Sequence, residues 1–594
     1  MNSDFLPMTK KDLQERGIAQ PDFILVSADA YVDHPSFANA LIGRYLEALG
    51  YSVALLCQPN FGDLRAYQAL GRPRLAFLVS GGNMDSMVNR YTANKAPRKK
   101  DLYSPGGAQR RPKRATIVYT QMLRRAYPDV PIAIGGVEAS LRRFAHYDYW
   151  DNAVRPSILE DAPADLLMYG MGEHPLKELA EALDSGLAIG DITYIRGTAY
   201  RAKDDSRVYE EKIVTPSFED VKKDKRKYAE AFRMQYLEQD YRQGRVVVQP
   251  HGDHVVIQNP PAEPLSTEEM DFVYSLPFTK EAHPSYKEPI PALQEVKFSL
   301  VSSRGCYGGC SFCSIFFHQG KYIQSRSRES LVAEAEELTR KKDFKGYIHD
   351  VGGPTANFLS LPCEKAKTAG MCRNRRCLAP TPCKNLKADH SWYIATLRAL
   401  RAVPGVKKVF IRSGIRYDYV MADKSGEFIR ELARHHVSGE LKVAPEHCAP
   451  EVLRLMGKPN LDVYERFVQK FEAASRKAGK KQYVLPYFIA SHPGSTIACA
   501  IELAVYLKRS GFVPDQAQDF YPTPGSLSTC MYYTGLDPLT MEPVYVPKSR
   551  EERAMQRALL QFNKPENYPL VKKALLRAGR RDLIGKGRDC LIRG

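Results

Sequence analysis

The sequence predicts an α/β protein: a doubly wound parallel sheet, then a partial (β/α)6 barrel, then a basic tail. Three observations carry that expectation. Short apolar runs alternate with amphipathic stretches through the first third of the chain. The same alternation restarts near residue 295 and continues for about six strand–helix units. Between the two lies a charge-rich and then proline-rich stretch that marks a boundary. The expected units are 1–199 for the sheet domain, 200–294 for a helical and hairpin linker, 295–540 for the barrel and 541–594 for the basic extension.

In order, DFILVSA (22–28) reads as a buried strand, FANALIGRYLEALGY (37–51) as an amphipathic helix and SVALLCQ (52–58) as a second strand. RLAFLVSGG (74–82) and PIAIGGVEAS (131–140) are strands ending on the glycine pairs Gly81-Gly82 and Gly135-Gly136, and ADLLMYGMGE (164–173) adds a last strand. Glycines just past a strand line the carboxyl edge of such a sheet, where ligands bind. Neither pair completes G-x-G-x-x-G, so NAD is not expected. EDVKKDKRKYAEAFRMQYLEQDYRQ (219–243) reads as an exposed helix and GRVVVQPHGDHVVIQNPPAEPLS (244–266) as a hairpin leading to a linker.

EVKFSLVS (295–302) opens the second series. SRSRESLVAEAEELTRK (325–341) is a helix opened by Ser327. GYIHDVGGPT (346–355), KKVFIRSG (407–414), GELKVAPEH (439–447), KQYVLPYFIASHPGST (481–496) and DQAQDFYPTPGS (515–526) are strands with their loops, separated by helical stretches such as LDVYERFVQKFEAASRKAGK (461–480).

Composition narrows the function classes. At 44% hydrophobic residues and a mean hydropathy of −0.39, the chain is of ordinary globular type. No apolar run approaches the roughly 20 residues that span a bilayer, and MNSDFLPMTKKDLQERG has no apolar core for a signal peptide. A cytoplasmic protein with reduced thiols and no membrane association is therefore expected. The formal charge is +18, concentrated at 94–114 (eight Lys/Arg against one Asp) and 571–594 (eight against two). These stretches are either solvated surface or a contact for RNA, and neither interleaves the aromatic residues that stack bases.

Three of the 12 cysteines, Cys306, Cys310 and Cys313, fall within SSRGCYGGCSFCSI (302–315), at the carboxyl end of the first barrel strand. Barrel active sites lie at that end. Thiolates hold iron–sulfur clusters, and a [4Fe–4S] cube normally takes four. Three local ligands leave one iron open, and Gly305, Gly308 and Gly309 let the backbone wrap closely around a bulky cube. The competing reading is a structural zinc with His318 as fourth ligand, in a nucleic-acid-binding protein that is not an enzyme.

Cys306-x3-Cys310-x2-Cys313, with Phe312 before the last cysteine, resembles the loop of the radical S-adenosylmethionine (SAM) superfamily. The whole chain, including DAYVDHPSFANAL (29–41) and RGCYGGCSFCSI (304–315), is similar to the YgiQ-type radical SAM proteins. The resemblance implies a [4Fe–4S] cluster on the three cysteines and SAM on its open iron. It also implies reductive cleavage to a 5′-deoxyadenosyl radical and a donor of flavodoxin or ferredoxin type. By position it assigns Asp350-Val351-Gly352-Gly353-Pro354 to the amino group of SAM; Pro354 stands where the family usually has an acid, leaving the contact to backbone carbonyls. Arg412, Ser413 and Glu446 become candidates for its carboxylate and ribose, and Ser491, His492 and Gly494 for the adenine. The alternative for Arg412 is a neighbouring acid, and for Glu446 a helix cap near 449. An RNA-modifying enzyme of methylthiotransferase type is a variant of this reading. The substrate and the catalytic side chains stay unassigned.

The first domain resembles the cobalamin-binding domains of some radical SAM methyltransferases. Their D-x-H-x-x-G ligand motif is broken here: Asp33 and His34 are adjacent and Ala38 takes the glycine position. A domain without cobalamin is expected.

A second group, Cys363, Cys372, Cys377 and Cys383, occupies 21 residues of a basic, proline-containing loop without apolar periodicity. Structural zinc, an auxiliary [4Fe–4S] cluster and free thiols are all open, with Asp389 or His390 able to replace one thiol.

Overall fold

A computed structural model of the protein describes residues 4–593. Nine strands form the first sheet: β1 (Phe23–Ser27), β2 (Val53–Cys57), β3 (Ala76–Ser80), β4 (Ile132–Gly135), β5 (Leu166–Met168), β6 (Thr198–Ala202), β7 (Lys212–Val214), β8 (Val246–His251) and β9 (His254–Gln258). Their order is β2-β1-β3-β4-β5-β6-β9-β8-β7. The first five are mutually parallel, as the apolar runs require. Along β1, Phe23 and Leu25 enter one apolar core and Ile24 and Val26 the other. Both faces are covered, which is why the run carries no polar alternation.

The 244–266 hairpin does not lead away as a linker. Its strands β8 and β9 extend the first sheet, β9 pairing antiparallel with β6 from Val255↔Ala202 to Gln258↔Ala199. Nor is 219–243 an exposed helix. It breaks at Asp224, which caps a second helix, Lys225–Leu237. Tyr228, Phe232 and Tyr236 of that helix are buried. Phe232 stacks on Phe317 with centroids 6.3 Å apart, and Tyr236 meets Phe316 edge-on at 5.0 Å. The four-residue spacing of these rings is a buried helical stripe that the surrounding charges obscure.

Six strand positions make the second unit: β10 (Ser299–Val301), then β11 (Tyr347–Ile348) and β12 (Asp350–Gly352) as two halves of one strand, β13 (Lys408–Val409), β14 (Glu440–Glu446), β15 (Tyr483–Ala490) and β16 (Gln518–Asp519). All pairings are parallel between sequence neighbours: β10 with β12, β11 with β13, β14 with β15 and β15 with β16. This is a partial (β/α)6 barrel. Its helices, among them Arg328–Thr339, Ser391–Ala402 and Leu461–Lys477, pack outside it through Leu331, Leu397 and Phe467.

The basic tail is folded. Helices Arg550–Leu560 and Tyr568–Arg577 pack Met555, Leu559, Val571 and Leu575 against Phe488, Ile501 and Leu507 of the barrel. In the 94–114 stretch, Arg111 is buried between Asp29 and Asp101, and Arg114 pairs with Asp148 and Asp151. Among the described residues no helix is long and apolar enough to cross a membrane.

Two buried charge groups join sheet domain to barrel. Glu334 accepts Lys280 at 2.7 Å and Arg326 at 2.5 Å. Glu173 accepts Arg304, the last residue before the cysteine loop, at 2.5 Å.

Candidate functional site

The carboxyl edge of the first sheet faces the barrel across a cleft of about 1400 Å³. Gly82 and Gly136, both at positive φ, line the sheet side. A Cβ on Gly82 would strike the Asp29 carboxylate, and one on Gly136 would meet Ser80 Oγ at 2.6 Å. The glycine pairs therefore have a steric cause. On the barrel side the cleft is lined by Ser303, Arg304, Phe312, Asp350, Gly352, Gly353, Pro354, Arg412 and Ser413.

The three-cysteine loop runs between Gly305 and Ser314, both ends tied down. Cys306 N–H donates to Gly320 O at 3.1 Å and Ser311 N–H to Met456 O at 2.9 Å. A Cβ at Gly305 would strike the Tyr322 carbonyl. Each thiol sulfur has a donor aimed at it. Cys306 Sγ meets Gly308 N–H at 3.4 Å and the Thr355 hydroxyl at 3.4 Å. Cys310 Sγ meets Arg416 Nη1 at 3.3 Å, and Cys313 Sγ meets Ile315 N–H at 3.5 Å. Such donors favour a sulfur that carries charge. Burial works the other way, raising the Cys306 thiol and pushing Cys313 up to about 12. A metal that displaces the proton resolves that conflict.

Among the described residues no three His, Cys, Asp or Glu side chains close on a point where a metal ion would sit. His318 does not join the cysteines. It lines the cleft, with Arg143 and Glu173 as its charged neighbours, and burial lowers it to about 4.

Gly352 and Gly353 form a flat edge beside the loop. A Cβ on Gly352 would meet Ser413 Cβ at 2.8 Å, and one on Gly353 would run into the Ser303 carbonyl. Asp350 accepts Arg412 N–H at 2.8 Å, Ser413 N–H at 3.0 Å and the Ser413 hydroxyl, locking β12 to the end of the third strand. The Arg412 side chain is exposed and reaches Glu295 at 3.6 Å. Phe312 lies partly buried at the cleft wall, edge-on to His492 at 6.1 Å.

Glu446 and Ser491 lie outside the cleft wall. Glu446 is buried at φ +72 and pairs with Lys458 at 3.4 Å rather than capping the next helix, whose N-cap is Ala449. Ser491 is buried at φ +62 with its hydroxyl unpartnered, and His492 is buried, bonded to Ser528 Oγ at 2.7 Å. Gly494 faces Leu455. Both strand ends are thus strained turns of the kind found near functional centres.

The sequence reading missed Arg416. Its guanidinium is buried and donates to Asp418 Oδ1 at 2.9 Å, Gly308 O at 3.2 Å and Cys310 Sγ. Only the adjacency of Arg416 and Asp418 hints at it, and no motif marks it.

His34 is shut inside the first domain. Its Nδ1 accepts Ser36 N–H at 3.0 Å, its Nε2 has no partner, and burial with nearby Lys280 pushes it down to about 3. Asp33 is held by Arg44 at 2.6 Å. Neither lines the cleft, so neither fits an axial ligand to cobalt.

A partial barrel with a three-cysteine loop at its carboxyl edge, behind a doubly wound sheet, marks the radical SAM enzymes, and family comparison agrees. Residues 5–299 match the Radical SAM N-terminal family and 300–504 the Radical SAM superfamily; 515–594 match a domain of unknown function, DUF3362. Within that class the chain belongs to the UPF0313 family. It is 56% identical over 594 residues to a UPF0313 protein of Clostridium botulinum, covering all of this chain and 92% of that one. It is 58% identical over 592 residues to one of Clostridium perfringens, covering 99% and 89%. Among solved structures it is similar to the radical SAM methyltransferase TsrM of Kitasatospora setae with cobalamin and [4Fe–4S] cluster bound. That match has a TM-score of 0.47 and 14% identity, covering 94% of this chain and 100% of that one. It is also similar to the cobalamin-dependent radical enzyme OxsB, at TM-score 0.47 and 14% identity, covering 89% and 56%.

Proposed function

We propose that Cys306, Cys310 and Cys313 hold a [4Fe–4S] cluster and that the adjoining cleft takes SAM against the Gly352–Gly353 edge and substrate toward the sheet. The observation that carries this reading is the set of donors on the three thiols of a loop whose Phe312 and Ser314 line the cleft. When bound, the cluster supplies the electron that cleaves SAM to methionine and a 5′-deoxyadenosyl radical.

The chain's own groups prepare that event. Gly308 N–H, the Thr355 hydroxyl, Ile315 N–H and Arg416 stabilise negative charge on the sulfurs. Asp418 keeps the guanidinium on Cys310 by fixing its other edge. Asp350 holds β12 against the third strand, so Gly352, Gly353 and Ser413 present one surface to the amino and carboxylate groups of SAM. Arg412, exposed at the rim, supplies positive charge there. Phe312 forms an apolar wall that keeps water from the reacting carbon. A reduced donor of flavodoxin or ferredoxin type supplies the electron.

Anaerobic reconstitution tests the reading. Native protein should be brown, with a dithionite-reduced electron paramagnetic resonance (EPR) signal that SAM perturbs. Replacing Cys306, Cys310 and Cys313 with Ala should remove about four irons per chain and abolish the SAM-sensitive signal. Unchanged iron in the triple variant rejects the assignment.

A further inference from the structure

We infer that Cys363, Cys372, Cys377 and Cys383 form a second iron–sulfur site, bordered by Tyr307 of the first loop. The four cysteines lie on a loop around the helix Glu364–Ala369. The fold gathers them although they are spread over 21 residues. Cys383 N–H donates to Cys377 O at 2.9 Å, and Cys363 and Cys377 pack against one small apolar cluster. All four are half-buried and unpaired. Cys372, Cys377 and Cys383 border a separate cavity of about 430 Å³, closed on one side by Tyr307 and Gly309 of the first loop.

Two further observations point to an anionic cluster as the occupant. Lys321 projects into this cavity. Its ammonium has only the Cys372 and Arg373 carbonyls as acceptors, at 3.4 and 3.5 Å, and stands over the rings of Tyr236 and Phe316. That half-buried ammonium has the Asp240 carboxylate as its acidic neighbour, and thiolate-ligated iron would bring it a further counter-charge. The loop also brings Arg373, Arg375 and Arg376 to the same cavity. Second, the side chains that could replace a thiol are not free to do so. Asp389 and His390 are engaged elsewhere: Asp389 accepts from Ser391 and His390 bonds Asp423 at 2.7 Å. The cysteines are left as the ligand set.

Tyr307 stacks on Phe358 with centroids 3.9 Å apart. Cys306 and Cys377 pack against the same small apolar cluster. The two sites are therefore neighbours, while each has its own thiols.

The full-length chain carrying Cys306→Ala, Cys310→Ala and Cys313→Ala separates the sites. After anaerobic reconstitution it should keep about four irons and four sulfides per chain and give an EPR signal that SAM leaves unchanged. Cys372→Ala with Cys377→Ala in the otherwise native chain should halve the iron and keep the SAM-sensitive signal. One zinc and no iron in the triple variant, or neither metal in a folded one, overturns the proposal. Should the triple variant not fold, the double variant decides: half the iron supports the site, undiminished iron rejects it. Failure of the first-loop reading looks different, since the triple variant would then retain all the iron of the native chain.

Discussion

Gly353 shows how one missing side chain can define a site. Its Cα faces Ser303, the residue that leads β10 into the cysteine loop, closely enough that any Cβ meets the Ser303 carbonyl and lies 2.9 Å from its hydroxyl oxygen. Overpacking of that kind typically costs about 1–3 kcal/mol. It must be relieved by moving the Gly352–Gly353 edge, which the proposed function sets against SAM. Gly353→Ala should therefore keep the iron content and visible spectrum of the native protein while weakening SAM binding about tenfold, or about 1.4 kcal/mol. Equilibrium dialysis against SAM measures this, and unchanged affinity would remove Gly353 from the SAM edge. Gly352 and Gly353 were legible through the family resemblance, which places a glycine-rich stretch after the second barrel strand. Glu446 and Ser491 were marked only by the positions that the resemblance assigns after the fourth and fifth strands; both have positive φ and neither lines the cleft. Arg416 was illegible because its partners, Gly308 and Cys310, lie more than 100 residues away.

At the scale of elements, strands were easier to read than their surroundings. β1 to β5 are covered on both faces and appear as uninterrupted apolar runs. The helix Lys225–Leu237 was hidden because only one stripe is buried and most of the other positions are charged. The hairpin β8–β9 was legible as a hairpin, but nothing local says that its second strand pairs with β6. The contact between domains was likewise illegible, since Lys280 lies 54 residues before Glu334 and nothing local links it to the Arg326–Glu334 pair. Burial alone would raise the Glu334 carboxyl, but Arg326 and Lys280 outweigh it and hold the group at about 2, below its ordinary value of 4.5. A depressed carboxyl stabilises the fold above its unfolded value and loses that contribution as pH falls from about 4.5 toward 2. Glu334→Gln should cost about 3–5 kcal/mol at neutral pH, because two buried cations lose their partner. It should also flatten the loss of stability between pH 4.5 and 2. Denaturant unfolding at several pH values checks both, and an unaltered acid limb would show that the triad does not hold the domains together.

At the scale of the molecule, sheet and barrel each present the edge at which parallel strands bind ligands, and the chain folds these edges onto one cleft. The cysteine loop, the Gly352–Gly353 edge and Phe312 lie along its barrel side, while Gly82 and Gly136 leave room on the sheet side. The basic stretches, which from sequence suggested RNA as readily as solvent, spend Arg111 and Arg114 on ion pairs and fold the tail against the barrel. The central claim is that this cleft delivers one electron to SAM, and product analysis tests it most directly. Dithionite-reduced, anaerobically reconstituted protein incubated with SAM alone should form 5′-deoxyadenosine and methionine slowly, and Cys310→Ala should form none. S-adenosylhomocysteine without 5′-deoxyadenosine under every reductant, or equal 5′-deoxyadenosine from Cys310→Ala, would contradict it.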